Sequence, residues 1–185
     1  MAHESASVAF ADYQEMVVQA KGRLPESLKV VLLADRGFVH TDLMTMLTSQ
    51  LGWHYRIRIK SNTWIWPGSW CQPKNFHLHF GEAICLHNIQ IHKSEFYGMV
   101  HVIIGRNNLT GELWAIVSNE KTTLQTFAEY GFRFDIEENF LDDQSRALCA
   151  SPAKLSEQRS CSVGIFNVRW YEMSAPYLAC GLFWR

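Results

Sequence analysis

Two carboxylates stand out by their setting. Asp35 closes a short run, residues 29–34, in which every position after Lys29 is apolar, and Arg36-Gly37-Phe38 follows it. Such a run reads as a strand buried on both faces, with its carboxylate at the strand's C-terminal edge. In open α/β sheets that edge is where sites are built. Glu137 lies far downstream, in the charged stretch 130–137. Two carboxylates converging at a sheet edge suit Mg²⁺ or Mn²⁺, hard cations that take oxygen ligands. A pair of such metals activates a water or a 3′-hydroxyl and stabilises the leaving oxygen in phosphoryl transfer.

Cationic and polar groups accompany the pair. From Tyr130 the steps to Arg133, Glu137 and Gln144 are three, four and seven residues. On a helix with about 3.6 residues per turn these return to nearly one azimuth. Arg56, Arg58 and Lys60 occupy alternate positions of another segment and form the one concentrated positive patch. With Tyr130 and Arg133 they would hold a phosphate backbone. The same residues also fit plainer roles: ion pairs of Asp35 or Glu137 with Arg36 or Arg133, and a solvated strand face.

The elements that must position these groups read as follows. Phe10, Tyr13, Met16, Val17 and Ala20 give the N-terminal segment, up to about Lys21, one apolar helical face, with Gly22 as its stop. Residues 30–34 are the buried strand, and Gly37 is expected to permit close backbone approach in the turn after it. Thr41 is the expected N-cap of an amphipathic helix carrying Leu43, Met46, Leu47 and Leu51, which Gly52 ends. Residues 53–60 alternate, with Tyr55, Ile57 and Ile59 on one side and His54, Arg56, Arg58 and Lys60 on the other. Strand, helix, strand at this spacing is a βαβ unit with parallel strands.

Residues 61–112 change texture. Trp64, Trp66 and Trp70 cluster around Pro67-Gly68, and short alternating runs from Phe76 to Ile104 are broken by turn residues, the pattern of antiparallel hairpins. This β-rich insertion holds His77, His79, His87, His92 and His101, five of the eight histidines. His77 and His79 share a strand side, yet no cysteine or carboxylate completes a recognisable zinc spacing. Residues 113–117 read as another buried strand, Ser118-Asn119 as an N-cap pair, and 123–130 as a short helix leading into a longer one through Phe132, Ile136 and Phe140. Residues 149–185 show no sustained period. The domain plan is therefore a first part of the core (1–60), the insertion (61–112), a second part of the core (113–148) and an atypical tail.

Composition sets outer bounds. The chain has 185 residues, 48% hydrophobic and 19% charged, with a formal net charge of −1. It has enough length for one sizeable core and lacks the global basic field of many nucleic-acid binders. No apolar run reaches the ~20 residues of a membrane span, and no secretory signal stands at the N-terminus, so a cytoplasmic location is expected. Five cysteines with no C-x-x-C pair read as reduced thiols.

Taken together, Leu33-Ala34-Asp35-Arg36-Gly37-Phe38, the helix after it and Tyr55-Arg56-Ile57-Arg58-Ile59-Lys60 resemble the second-aspartate segment of bacterial insertion-sequence transposases of the DDE superfamily. Tyr130-x2-Arg133-x3-Glu137-x6-Gln144 resembles that family's Y-x2-R-x3-E-x6-K signature, and Trp114 to Asn119 is similar to the strand preceding it. The resemblance implies a ribonuclease-H-like mixed sheet with flanking helices. It implies DNA transposition by metal-dependent cleavage and strand transfer, with double-stranded DNA at transposon ends as the partner and a dimer on that DNA as an option. It implies Asp35 and Glu137 as ligands of Mg²⁺ or Mn²⁺, Tyr130 and Arg133 as contacts to DNA phosphates, and one of the three clustered tryptophans as a platform for an unpaired base. Three departures accompany it. The first aspartate of the family has no counterpart, Gln144 replaces the signature lysine, and the tail lacks the closing helices. The expectation is a partial chain with little activity alone, bound to the nucleoid when it binds DNA. The alternatives are a non-catalytic remnant that binds DNA or a partner, and a small metal-dependent phosphohydrolase.

Overall fold

The computed structural model describes residues 10–92, 97–134, 160–163, 166–173 and 177–182. Its centre is β1 (Lys29–Ala34), whose five residues after Lys29 are all buried. Neighbouring side chains on a strand point to opposite faces, so full burial requires cover on both. Val30, Leu32 and Ala34 face the larger core with Tyr13, Leu43, Met44, Leu47, Tyr55 and Ile57. Val31 and Leu33 face the other way, against Phe132.

Helix α1 (Phe10–Arg23) covers the first face. Its buried side chains, Tyr13, Met16, Val17 and Ala20, are the stripe expected from their spacing. The helix runs one residue past Gly22, so that glycine is not its stop. After β1 the chain makes a 3₁₀ turn, Arg36–Phe38, in which Asp35 Oδ1 accepts the Arg36 N–H at 2.7 Å. Gly37 has no positive φ, and a Cβ there would meet nothing within 4 Å. The turn therefore does not need glycine, contrary to the sequence expectation.

Helix α2 (Thr41–Thr45) continues as a π-helical turn, Met46–Leu51. The N-cap is His40 rather than Thr41, which is the first helical residue. Leu43, Met44, Met46 and Leu47 are buried, and Gly52 closes the helix at φ 66. That left-handed conformation is where glycine avoids the Cβ penalty.

Strand β2 (His54–Arg58) pairs parallel with β1, completing the strand–helix–strand unit. The insertion supplies β3 (Ile65–Trp66), β4 (Ala83–Ile91) and β5 (Val100–Arg106), and β6 (Leu113–Ser118) follows. Residues 76–79 are not a strand, although Phe76, Leu78 and Phe80 alternate there, and Phe80 is exposed against Gly111. Strand β6 pairs antiparallel with both β5 and β2, so the insertion continues the core sheet. Strands β7 (Ser160–Val163), β8 (Phe166–Met173) and β9 (Tyr177–Leu182) lie in the tail, where the sequence shows no pattern. The order is β3-β4-β5-β6-β2-β1-β9-β8-β7, with β9 parallel to β1.

A third helix, α3, spans residues 125–134 and covers the second face of the sheet. It starts six residues beyond Asn119, so Ser118-Asn119 does not cap it; Ser118 is instead the buried end of β6. Ile103 and Ile116 pack under Tyr130, flanked by Trp114, Phe127 and Phe134. The molecule is thus a mixed sheet with α1 and α2 on one face and α3 on the other, an α/β architecture.

Gly105 sets how closely α3 approaches. A Cβ built there would lie 2.7 Å from the Phe127 ring and 3.2 Å from Ala83. Gly105→Ala is expected to force the ring and α3 outward, lowering stability by about 1–3 kcal/mol, the usual cost of overpacking. Thermal unfolding of the variant measures it.

Candidate functional site

The C-terminal edge of β1 brings Asp35 up to α3. Tyr130 is fully buried and Arg133 nearly so, and both turn from the helix toward the sheet. The Arg133 Nε donates to the Tyr130 hydroxyl at 3.2 Å, and its Nη2 stands 3.7 Å from Asp35 Oδ2. The guanidinium also lies 5.1 Å from the centre of the Phe134 ring, an aromatic face that favours a cation. Burial pushes the Tyr130 hydroxyl above its ordinary pKa, against the opposing pull of Arg133, whose N–H its oxygen accepts. Two stretches far apart in sequence therefore meet at one sheet edge, through the Asp35–Arg133 ion pair that the residue types also allowed. Glu137 and Gln144 lie outside the described residues.

The positive patch on β2 divides three ways. Tyr55, Ile57 and Ile59 are buried on one face, as the alternation required. On the other face Arg56 is buried beneath α3. Its Nε donates to Glu129 at 2.9 Å, its Nη2 to Glu120 at 2.9 Å and its Nη1 to Ser118 at 2.8 Å and to the Tyr55 carbonyl at 3.0 Å. With these partners Arg56 is a structural cation, held away from solvent. Arg58 is half-buried, ion-paired with Glu112 and stacked 5.3 Å from the centre of the Trp114 ring. Lys60 alone of the three is exposed.

Glu120 is the second hub. It pairs with Lys29 as well as Arg56, and its carboxylate lies 3.6 Å from His54 Nδ1. Burial works to raise its pKa, but hydrogen bonds from Lys29 and Arg56 outweigh that and hold it below the ordinary value. Burial lowers the pKa of His54; Glu120 opposes this, while Lys29 and Arg56 reinforce it. Glu112 is held low by the Trp114 indole N–H first and Arg58 second. None of these carboxylates was singled out from sequence. Glu129 could have been, since it adjoins Tyr130 on the stripe that also carries Arg133.

The fit of a divalent metal follows from the donors. Among the described residues, no group of three or more histidine, cysteine, aspartate or glutamate side chains is placed to hold one. Asp35 is the carboxylate that these residues bring to the β1 edge, and its charge faces Arg133. A hard cation draws on six or more oxygen ligands, so the described residues at the β1 edge do not complete a site for such a cation by themselves. Among them, too, no helix is long and apolar enough to cross a membrane.

The tryptophans of the insertion sit apart from this edge. Trp64 and Trp66 are 39% and 40% exposed, and Trp66 meets Trp70 edge to face at 5.2 Å. Comparison with known proteins returns no match: no family model, no curated protein and no solved structure matches the chain.

Two outcomes follow from the charge pattern. Arg56→Ala leaves Glu129, Glu120 and Ser118 facing an empty site and is expected to cost about 3 kcal/mol, the low end for a broken buried pair because both glutamates retain some solvent. Lys60→Ala should leave stability unchanged, and denaturant unfolding separates the two. The second outcome concerns pH. A group with a lowered folded pKa loses its stabilising effect as pH falls, because the unfolded chain takes up the proton first. Stability should decline below pH ~6.5 as unfolded His54 protonates, and again near pH ~4 through Glu120 and Glu112. His54→Gln should reduce the first decline and leave the second, as read from unfolding midpoints across pH.

Proposed function

We propose that this chain is the ribonuclease-H-like catalytic core, or part of it, of a DNA transposase of the DDE superfamily, acting on double-stranded DNA at transposon ends with Mg²⁺ or Mn²⁺. One observation carries the reading: Asp35, Tyr130 and Arg133 converge at the C-terminal edge of the central strand. The parallel β1–α2–β2 unit supports it, as does the parallel strand on the other side of β1. On this reading Asp35 and Glu137 are the partner carboxylates. Arg133, held by Tyr130, neutralises Asp35 and is the cation at that edge toward a DNA phosphate; Lys60 is the exposed phosphate contact just beyond β2. Gln144 contributes an amide in place of the signature lysine.

A second reading, a non-catalytic chain that binds DNA or an intact partner, draws on the sheet register. Strand β9 sets Gly181 and Leu182 beside Leu33 and Ala34, so the parallel neighbour of β1 places no acidic residue next to the Asp35 end.

The two readings separate in one assay. Nicking of supercoiled and transposon-end duplex DNA is measured with Mg²⁺ or Mn²⁺ for the natural chain, Asp35→Ala and Glu137→Ala. The catalytic reading expects nicking that both substitutions abolish; nicking that survives both overturns it. Binding without nicking, weakened by salt and with a salt slope reduced by about one unit in Lys60→Ala, supports the non-catalytic reading.

A further inference from the structure

A second cluster lies on the same sheet face, away from Asp35. Strands β4 and β5 pair antiparallel from Ala83–Gly105 to Leu86–Val102, and their register then slips before Ile89–Val100. Asn88 takes up the irregularity at φ 54, a left-handed conformation that asparagine tolerates better than most residues. The bulge brings the exposed His87 against His101 of the neighbouring strand. The two Nδ1 atoms are 3.2 Å apart and the ring centres 5.2 Å apart.

Two imidazole nitrogens at that distance need something between them. Their lone pairs repel unless one nitrogen carries a proton or a cation sits between both. A tetrahedral zinc ion with Zn–N bonds of 2.0–2.1 Å spans an N···N edge of about 3.3 Å. The observed separation matches that edge with no movement of the backbone. Imidazole nitrogen also selects for the later divalent metals over Mg²⁺ or Mn²⁺.

We propose that His87 and His101 form a surface site for a late divalent cation of the zinc type, with both Nδ1 atoms as ligands and water in the remaining positions. Among the described residues the Asn88 N–H also donates to His101 Nδ1, at 3.4 Å, and the metal competes with it for that lone pair. Lys121 reaches His101 electrostatically and weakens the site. With two protein ligands and a nearby cation, the site is a reversible one. It is separate from the β1 edge: His101 stands opposite Ser118, Ser118 opposite Arg56, and Arg56 opposite Leu33. Three strand spacings put it about 14 Å away.

The test is a Zn²⁺ titration of the whole chain at pH ~7.5, where histidine is neutral, followed by calorimetry and by long-range ¹H–¹⁵N spectra of the imidazoles. The expected result is saturable binding that shifts the Nδ1 signals of His87 and His101. His87→Gln and His101→Gln should each weaken it about tenfold or more, the scale of losses at metal sites. Cys85→Ser and the double variant His77→Gln/His79→Gln should leave it unchanged, which excludes the nearby thiol and the other histidine pair. Binding retained in His87→Gln/His101→Gln, or no saturation at millimolar Zn²⁺, would overturn the proposal and leave the contact as a shared-proton hydrogen bond.

Discussion

The structure depends on how one buried guanidinium is neutralised. Arg56 lies on a sheet face that α3 must cover, where an unpaired charge would be prohibitive. Its planar fork reaches three elements at once: Ser118 at the end of β6, Glu120 in the loop beyond it and Glu129 on α3. Arginine suits this role because its five N–H donors are fixed in one plane and its charge persists at every physiological pH. The pairing with Glu129 and the close approach of Phe127 to Gly105 fix the height and rotation of the first half of α3. Tyr130 and Arg133 lie just beyond those two points. Their approach to Asp35 is a consequence of how the helix is seated.

The same network explains which parts of the architecture were legible in the sequence. Strand β1 was readable because continuous apolar residues admit few other environments, and α1 and α2 because their apolar spacing is helical. The alternation of β2 correctly separated Tyr55, Ile57 and Ile59 from its basic positions. Alternation says which residues share a face, however, and not whether that face meets water. Arg56 is covered because α3 brings Glu129 to it, a contact spanning 73 residues that no local pattern encodes. The turn at Gly37 illustrates the opposite error, since glycine there is permitted but not demanded. The false strand at residues 76–79 arose because alternation persists where the backbone hydrogen-bonds locally in turns rather than to a neighbouring strand. The strands of the tail had no periodic pattern to be read.

The candidate site was legible in part for a related reason. Asp35 was found from its position at a strand end, and Tyr130 and Arg133 from helical spacing, both local signals. The contact that is present, Arg133 with Asp35, is the plain ion pair the residue types also allowed, and the convergence expected of Asp35 with Glu137 falls outside the described residues. Glu120 and Glu112 went unnoticed because each follows a polar or turn residue and belongs to no periodic element. Such residues are placed by tertiary pairing alone, and they set the electrostatics of the β2 face. The result is a face rich in arginine whose charge is spent internally, leaving Lys60 exposed at its end.

The antiparallel seam between β2 and β6 has a kinetic consequence. On one side of it, β1, α2 and β2 pair within a short stretch of chain; on the other, β4, β5 and β6 form a meander of neighbours. Each half closes small loops, whereas the seam joins Arg56 to Ser118 across 62 residues. Loop-closure entropy makes such a distant pairing later than its local neighbours. The two halves therefore form first and meet afterwards, and the burial of Arg56 marks that meeting. Until α3 docks, its charge remains hydrated, so docking trades water around one arginine for two glutamates and a serine.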